Sequence, residues 1–426
     1  MYCFQETFFI ISEYAIMNSP SLRSYFEMFS TLDLSGIPDR EFEYGNKGYS
    51  FHAMLRALIV KHREHIESIP RLVDFFDLNP VMAVMCGFPL GKLPHASQFY
   101  RVMENTNHSL FENLLYSINR KLIESGEITM DTFIIDSKPV LAATCENNPK
   151  NSDRNLTDKK KIPKRNPMAT LGYFSKSPNN LLMFFWGYRT HVIITKEGIV
   201  LVEATLNNNI SDAKVAKMLI KKLKKIYNFK KGVLFIADAA YDVNELYEYI
   251  INSLKCQAFI PINPRTPKKP FTLGFNGRPF CDAGLEMASD GQWFEKTKNT
   301  IKHKYVCPLK ASKTFAKEFP QGCPDCNPKF EGYGCTKYYS EPNTARASVP
   351  RDSAEYKRKY PLRICVEQYF ARMGSLEAYQ TTHYSLNTVK NQMTIAHITL
   401  SLVALAAVSI NKKEKIRCYR TFASIA

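Results

Sequence analysis

The sequence predicts an α/β protein with a mixed-sheet core, an all-α region before it and a cysteine-containing insertion within it. Two apolar runs of strand length, Thr132–Ile135 and Val233–Ala237, lead directly into aspartates, Asp136 and Asp238. Upstream of residue 127, apolar residues recur instead at helical spacing. From about residue 261 to 350 the chain is rich in Pro, Gly, Lys and Cys, and this stretch separates Asp238 from the next acidic motif.

Residues 1–45 read as a leader without a regular pattern. A helical region over 46–126 follows. Phe51, Met54, Leu55, Leu58, Ile59 and Ile66 mark one helix, Ser97 is the expected N-cap of a second, and Leu110, Phe111, Leu114, Leu115, Ile118, Leu122 and Ile123 mark a third that ends before Gly126. This region is either a structural cap or a helix-turn-helix-like DNA reader. Strands are then expected at Thr132–Asp136, Leu182–Trp186, Thr190–Thr195 and Ile199–Thr205, the last three forming an antiparallel meander. A helix over 213–227, the Val233–Ala237 strand, a helix after Asp242 and a strand over 258–261 complete the order expected of an RNase H-like core spanning 127–410. Asp242 and Glu245 have capping-box spacing, which predicts Asp242 as an N-cap. Residues 411–426 form a basic tail.

The chemistry is expected at strand ends, where open α/β sheets place it. Asp136 and Asp238 fall there, and Glu367 lies in Tyr360-Pro-Leu-Arg363-Ile-Cys-Val-Glu367, the start of a helix with Pro361 in its first turn. Tyr360, Arg363, Glu367 and Gly374 share one face of that helix. Two such aspartates and one glutamate can hold a pair of Mg²⁺ ions for attack on a phosphodiester. Mn²⁺ is the expected substitute in an all-oxygen site. Arg363 suits a phosphate near the scissile bond, or else a salt bridge to one of the acids. Tyr241 either packs against the metals or belongs to the core, and His191 faces the same choice, a hydrogen-bonded structural histidine being expected over a ligand.

Asp136, the segment Asp238-Ala-Ala-Tyr241-Asp242 and the Tyr360-x2-Arg363-x3-Glu367 spacing resemble the bacterial insertion-sequence transposases of the Asp-Asp-Glu class. The likeness runs from about Gly48 to Ile410. It implies an RNase H-like catalytic core, double-stranded DNA partners (transposon ends and target), and a homo-oligomeric active complex. It also implies metal-dependent cleavage and strand transfer. Related expectations are a metal-dependent nuclease without strand transfer and a non-catalytic, transposase-derived DNA-binding protein. One departure stands out: where the family carries a Lys seven residues after the Glu, thought to contact the transposon end, this chain has Gly374.

Charge points the same way. The 426 residues carry a formal +17. Residues 1–45 hold seven acids against two basic residues, so the remainder carries +22, which favours a polyanionic partner. A loop over 150–165, with Lys159, Lys160, Lys161, Lys164 and Arg165 at its end, has a net +5 and is a candidate DNA contact or a solvated loop. The lysines of the 213–227 helix read as a solvated face.

Cys307, Cys323, Cys326 and Cys335, spaced C-x15-C-x2-C-x8-C, can either hold a structural Zn²⁺ or stay free thiols; Cys281 or His303 is an alternative ligand. The absence of a signal-peptide pattern and of a secreted cysteine framework leads to an expectation of a cytoplasmic, nucleoid-associated protein. The uncharged stretch 391–411 has too many polar groups for a lipid span and is expected to be a buried helix, so no membrane partner is expected.

Overall fold

A computed structural model describes residues 14, 16, 18–39, 48–148, 162–176, 181–263, 273–274, 276–298, 300–323, 332–342 and 344–418. Among the described residues, the helices before the first strand are α1 Pro20–Thr31, α2 Phe51–Arg63, α3 Ile69–Leu78, α4 Pro80–Cys86, α5 Ala96–Asn105 and α6 His108–Glu124. Their starts follow local chemistry. Ser19, Ser50 and Ser68 each accept a backbone N–H of the first turn, and Asn107 does so for α6. The expected cap at Ser97 is corrected: His95 caps α5, and the Ser97 N–H donates to its Nδ1 at 3.2 Å. Gly126 lies just beyond α6 at φ +79°, the left-handed geometry that ends a helix at little cost to glycine.

The main sheet is built from β1 Thr132–Leu141, β2 Thr170–Lys176, β3 Leu181–Thr195 and β4 Val200–Asn207. After helix α7 Asp212–Tyr227 come β5 Leu234–Ile236, α8 Asn244–Tyr247 (continued by a π-helical turn to Ser253) and β6 Gln257–Phe259. The strand order is β2-β3-β1-β5-β6, with β4 also paired to β3. β1 is antiparallel to β3 but parallel to β5, and β5 is parallel to β6, so the sheet is mixed.

Two expectations change here. The pair of strands anticipated at 182–186 and 190–195 is one continuous strand, β3. Gly187 within it marks close approach and not a break, because a Cβ there would sit 2.1 Å from the Val140 carbonyl oxygen. β1 does not stop at Asp136. Its pairing with β5 ends at Ile134, while its pairing with β3 continues to Leu141. Pro139 is tolerated because it lies beyond the β5 ladder.

Between β6 and the next core helix lies a second, three-stranded antiparallel sheet, β7 Ala288–Glu295, β8 Thr300–Val306 and β9 Thr336–Pro342, with the short helices α9 Pro308–Ala311 and α10 Lys313–Ala316 between β8 and β9. This sheet has its own small core of Cys281, Met287 and Tyr305. The chain then returns through α11 Ala354–Lys359, a 3₁₀ turn Tyr360–Arg363, α12 Ile364–Ser375 and α13 Leu386–Ser409.

Helix α13 is long and apolar enough to cross a membrane, yet most of it is buried inside the protein. It packs against α6, α1, α2 and β4, so the sheet and the N-terminal helices share one core. Some of its polar groups are paired internally: the Asn391 amide donates to the Met103 carbonyl at 2.8 Å, and the Gln392 amide to that of Ala378 at 3.1 Å.

Candidate active site

The three sequence-predicted carboxylates surround the point where β1 and β5 part. Asp136 projects from mid-β1, two residues past its last partner on β5. Asp238 follows β5 by two residues and caps a short 3₁₀ turn, accepting the Ala240 N–H at 2.9 Å. Glu367 stands in the first turn of α12, which packs against β1. Asp136 and Asp238 line one cleft of about 770 Å³.

Arg363 links two of the acids. Its Nη1 is 3.4 Å from Asp136 Oδ2, and its Nη2 pairs with Glu367 Oε1. The salt-bridge alternative for Arg363 is therefore the arrangement observed. Tyr360 is half-buried, stacks on Tyr356 with ring centroids 5.3 Å apart, and has its hydroxyl pushed up to about 12 by burial, with Asp238, Asp136 and Glu367 adding to the shift against Arg363. Gly374 lies seven residues beyond Glu367, and a Cβ there would meet only the Tyr379 ring at 3.5 Å, an ordinary contact. Arg372 points away from this face: it donates to the Gly198 carbonyl at 2.7 Å and stacks over Tyr369.

The electrostatics are those of crowded anions. Burial pushes the Asp136 carboxyl up to about 7; the charge of Asp238 adds to this, the Ser137 N–H and Arg363 oppose it, and Asp212 raises it further. Asp212 is the residue that sequence reasoning missed. It is the first residue of α7, far from any motif, yet it lines the same cleft. Burial raises its carboxyl too, with Arg189 opposing and Asp238 adding.

Behind Asp212, His191 is corrected from a hydrogen-bonded histidine. It is buried with both ring nitrogens unpaired, its Nδ1 3.8 Å from Asp212 Oδ1, and burial pushes it down to about 3, so it is neutral. Tyr241 is fully buried, with Ser137 as the polar neighbour of its hydroxyl. Its proton is held well above the ordinary range by burial, then by the charges of Asp136, Asp212 and Asp238. Asp242 is also corrected. It does not cap α8, because Arg346 grips both its oxygens at 2.7 Å and Val243 takes the cap position.

Other expected site residues lie elsewhere. Lys164 and Arg165 are exposed, and Lys159, Lys160 and Lys161 lie outside the described residues. Among the cysteines, Cys335 packs against the small core that holds Cys281, and Cys307 lies against Gly334. The Cys335 thiol is pushed up to about 11 by burial and then by Cys307 and Cys281. Cys326 lies outside the described residues. None of the described cysteines is joined in a disulfide.

A different group, His108, Glu112 and Glu203, does bring its ligand atoms within 4.8 Å of one another. It is already satisfied by the fold. Lys222, expected on a solvated face, instead pairs with Glu112 and donates to the Glu203 carbonyl at 3.1 Å.

The sequence pattern of the family described as Transposase DDE domain matches residues 129–402, which take in Asp136, Asp238 and Glu367. The chain belongs to that family. Membership implies divalent-metal use, and an all-oxygen donor set in which a neighbouring like charge helps to raise one carboxyl fits such an ion. No curated protein matches this DDE transposase. Among solved structures it is similar to the piggyBac transposase synaptic complex with hairpin DNA, at 12% identity and TM-score 0.40, over 94% of this chain and 76% of that one. It is also similar to the Mos1 transposase paired-end complex with left transposon end, at 13% identity and TM-score 0.17, over 56% of this chain and 66% of that one.

Proposed function

We propose that this DDE transposase binds the terminal inverted repeats of its element, cleaves there in a Mg²⁺-dependent reaction and joins the 3′-hydroxyl to target DNA. The observation that carries the reading is the Asp136–Asp238 pair at the divergence of β1 and β5, where burial and then the charge of Asp238 lift the Asp136 carboxyl to about 7. Asp136, Asp238 and Glu367 would hold the ions in an RNase H-like core. When bound, they supply activation of water or a 3′-hydroxyl and neutralisation of the leaving oxygen. Mn²⁺ should substitute.

Arg363 has a role in this reading that its ion pairs support. Its guanidinium spans Asp136 and Glu367, and release from them would leave a planar fork beside the scissile phosphate. Tyr360, stacked on Tyr356, would bound the same surface. The helices over 48–126 are the candidate reader of the element ends, and Lys164 and Arg165 lie on an exposed segment suited to phosphates. A homo-oligomeric complex would pair two ends.

The test is an end-containing duplex incubated with Mg²⁺ and target plasmid. Cleavage followed by joined product supports the reading. Cleavage without joining reduces the protein to a nuclease, and binding without cleavage to a non-catalytic DNA-binding protein. Cys307, Cys323, Cys326 and Cys335 are a separate proposal for a structural Zn²⁺, with Cys281 beside Cys335 as an alternative ligand. Reduced protein should then contain about one zinc per chain, and elemental analysis showing none would leave the cysteines as free thiols.

A further inference from the structure

We propose that Asp212 is a fourth metal-binding carboxylate of this centre, flanked by Arg189 and His191. The proposal rests on the metal-dependent reading above. Asp212 opens α7 directly beside the sheet and faces the cleft that Asp136 and Asp238 line. No sequence motif places it there; the packing of α7 on β3 and β4 does.

The plain alternative is that Asp212 merely neutralises Arg189. The geometry argues against it. Arg189 Nη1 is 3.8 Å from Asp212 Oδ2, outside hydrogen-bond range, while its guanidinium donates at 3.2 Å to both Ser137 Oγ and the Tyr173 carbonyl. The His191 ring stands at the same 3.8 Å from the other carboxylate oxygen. Neither neighbour therefore uses the lone pairs of Asp212, which stay available toward the cleft. Asp242, whose side chain is fully buried, is by contrast consumed by Arg346, whereas the Asp212 side chain stays 22% exposed.

A second observation is independent of the acids. His191 is only 1% exposed, and neither of its ring nitrogens has a hydrogen-bond partner. Unpaired polar atoms at this depth are costly in a structural core and are tolerated where a site is built. His191 backs Asp212 from β3, and Tyr241 sits among Asp136, Asp212 and Asp238.

The experiment is Mn²⁺ titration of the metal-free full-length chain, with free Mn²⁺ read by electron paramagnetic resonance, so that neither DNA nor turnover is needed. Asp212→Asn should weaken binding of at least one Mn²⁺ by about tenfold, the size of effect typical when a supporting metal-site residue is lost. Asp136→Asn and Asp238→Asn serve as references. Wild-type Mn²⁺ affinity in Asp212→Asn alongside losses in both references would overturn this proposal alone. Unchanged affinity in all three would overturn the metal-site reading and this proposal with it.

A double variant covers the case in which Asp212→Asn leaves Arg189 uncompensated and misfolds. Arg189→Gln with Asp212→Asn removes the cation together with the anion. If Asp212 only balances Arg189, the double variant recovers wild-type Mn²⁺ binding and the proposal fails; if Asp212 is a ligand, binding stays weak.

Discussion

Among the described residues, the carboxylate clusters around Glu203 and around Asp136 have opposite electrostatics. Around Glu203, the fold supplies its own compensation. His108 Nε2 is 3.3 Å from Glu203 Oε1, the Thr394 hydroxyl donates to the same oxygen at 2.7 Å, and Lys222 bonds the backbone carbonyl. Burial works against ionising Glu203, but the His108 bond and the charges of His397, His108 and Lys222 outweigh it and hold the carboxyl down at about 2. Around Asp136, burial and the neighbouring Asp238 act together, and the carboxyl rises to about 7. Glu203 belongs to the more compact set, with ligand atoms within 4.8 Å. Compactness therefore does not mark the functional cluster; uncompensated charge does.

The largest effects should separate the two clusters by kind. Asp136→Asn, Asp238→Asn and Glu367→Gln should each abolish cleavage of an end-containing duplex, a loss of at least about a thousandfold if each supports metal-assisted chemistry. Each variant should still fold and bind DNA. Substantial cleavage by any one of them in Mg²⁺ would remove that residue from the catalytic set. Glu203→Gln should do the reverse. It leaves His108 and Lys222 facing a neutral amide between α6, β4, α7 and α13, and breaking such a buried pair costs about 3–5 kcal/mol. Urea unfolding should register that loss, while the fraction that remains folded keeps its Mn²⁺ binding.

The pH dependence should differ in sign as well. Asp136 has a folded-state value of about 7, above the ordinary 3.8, so the metal-free native state holds a proton that the unfolded chain has released. Stability from this group is fully present below about pH 4 and is lost as pH rises through 7, at up to about 1.4 kcal/mol per pH unit in that window. Asp136→Asn should therefore stabilise the metal-free protein at pH 8 and flatten its pH profile between 4 and 7. Glu203, held at about 2, contributes stability above its unfolded value of 4.5 that is lost only as pH falls toward 2. Thermal melts of wild type, Asp136→Asn and Glu203→Gln across pH 3–8 check both signs, and a metal-free wild type that grows more stable from pH 5 to 8 would contradict the first.

One of these clusters is legible in the sequence and the other is hidden. Asp136, Asp238 and Glu367 can be found because each follows a local signal: an apolar run for the first two, and a Pro-started helix with Tyr360 and Arg363 on one face for the third. Glu203 is one acidic residue within the strand Val200–Asn207, and its partners lie 95 residues before and 191 after. Asp212 is hidden for the same reason, since only the packing of α7 turns it toward the cleft. Where expectation and structure part, a tertiary partner overrides a local rule. The strands expected at 182–186 and 190–195 run on through Gly187, a close approach, and Asp242 has the spacing of a helix cap but is held by Arg346, 104 residues away. The expectation of a hydrogen-bonded His191 rests on what buried histidines usually do; here both ring nitrogens stay unpaired.

The smallest effect concerns charge outside both clusters. Neutralising Lys159, Lys160, Lys161, Lys164 and Arg165 together removes five positive charges from a polar stretch, of which Lys164 and Arg165 are exposed. Stability should change little, since exposed substitutions usually fall within about 0.5 kcal/mol. If these side chains lie along DNA, affinity should fall and the slope of log affinity against log salt should become shallower by roughly 0.9 for each phosphate that is no longer neutralised. The drop should be equal for end-containing and random duplexes, because side chains on phosphates do not read sequence. Mn²⁺ binding should be untouched, which separates this surface from the Asp136 cluster. An unchanged salt slope would reduce the stretch to a solvated surface and move the DNA path to the helices over 48–126, where the same slope measurement on exposed basic residues such as Arg71 and Lys92 becomes the next discriminating step.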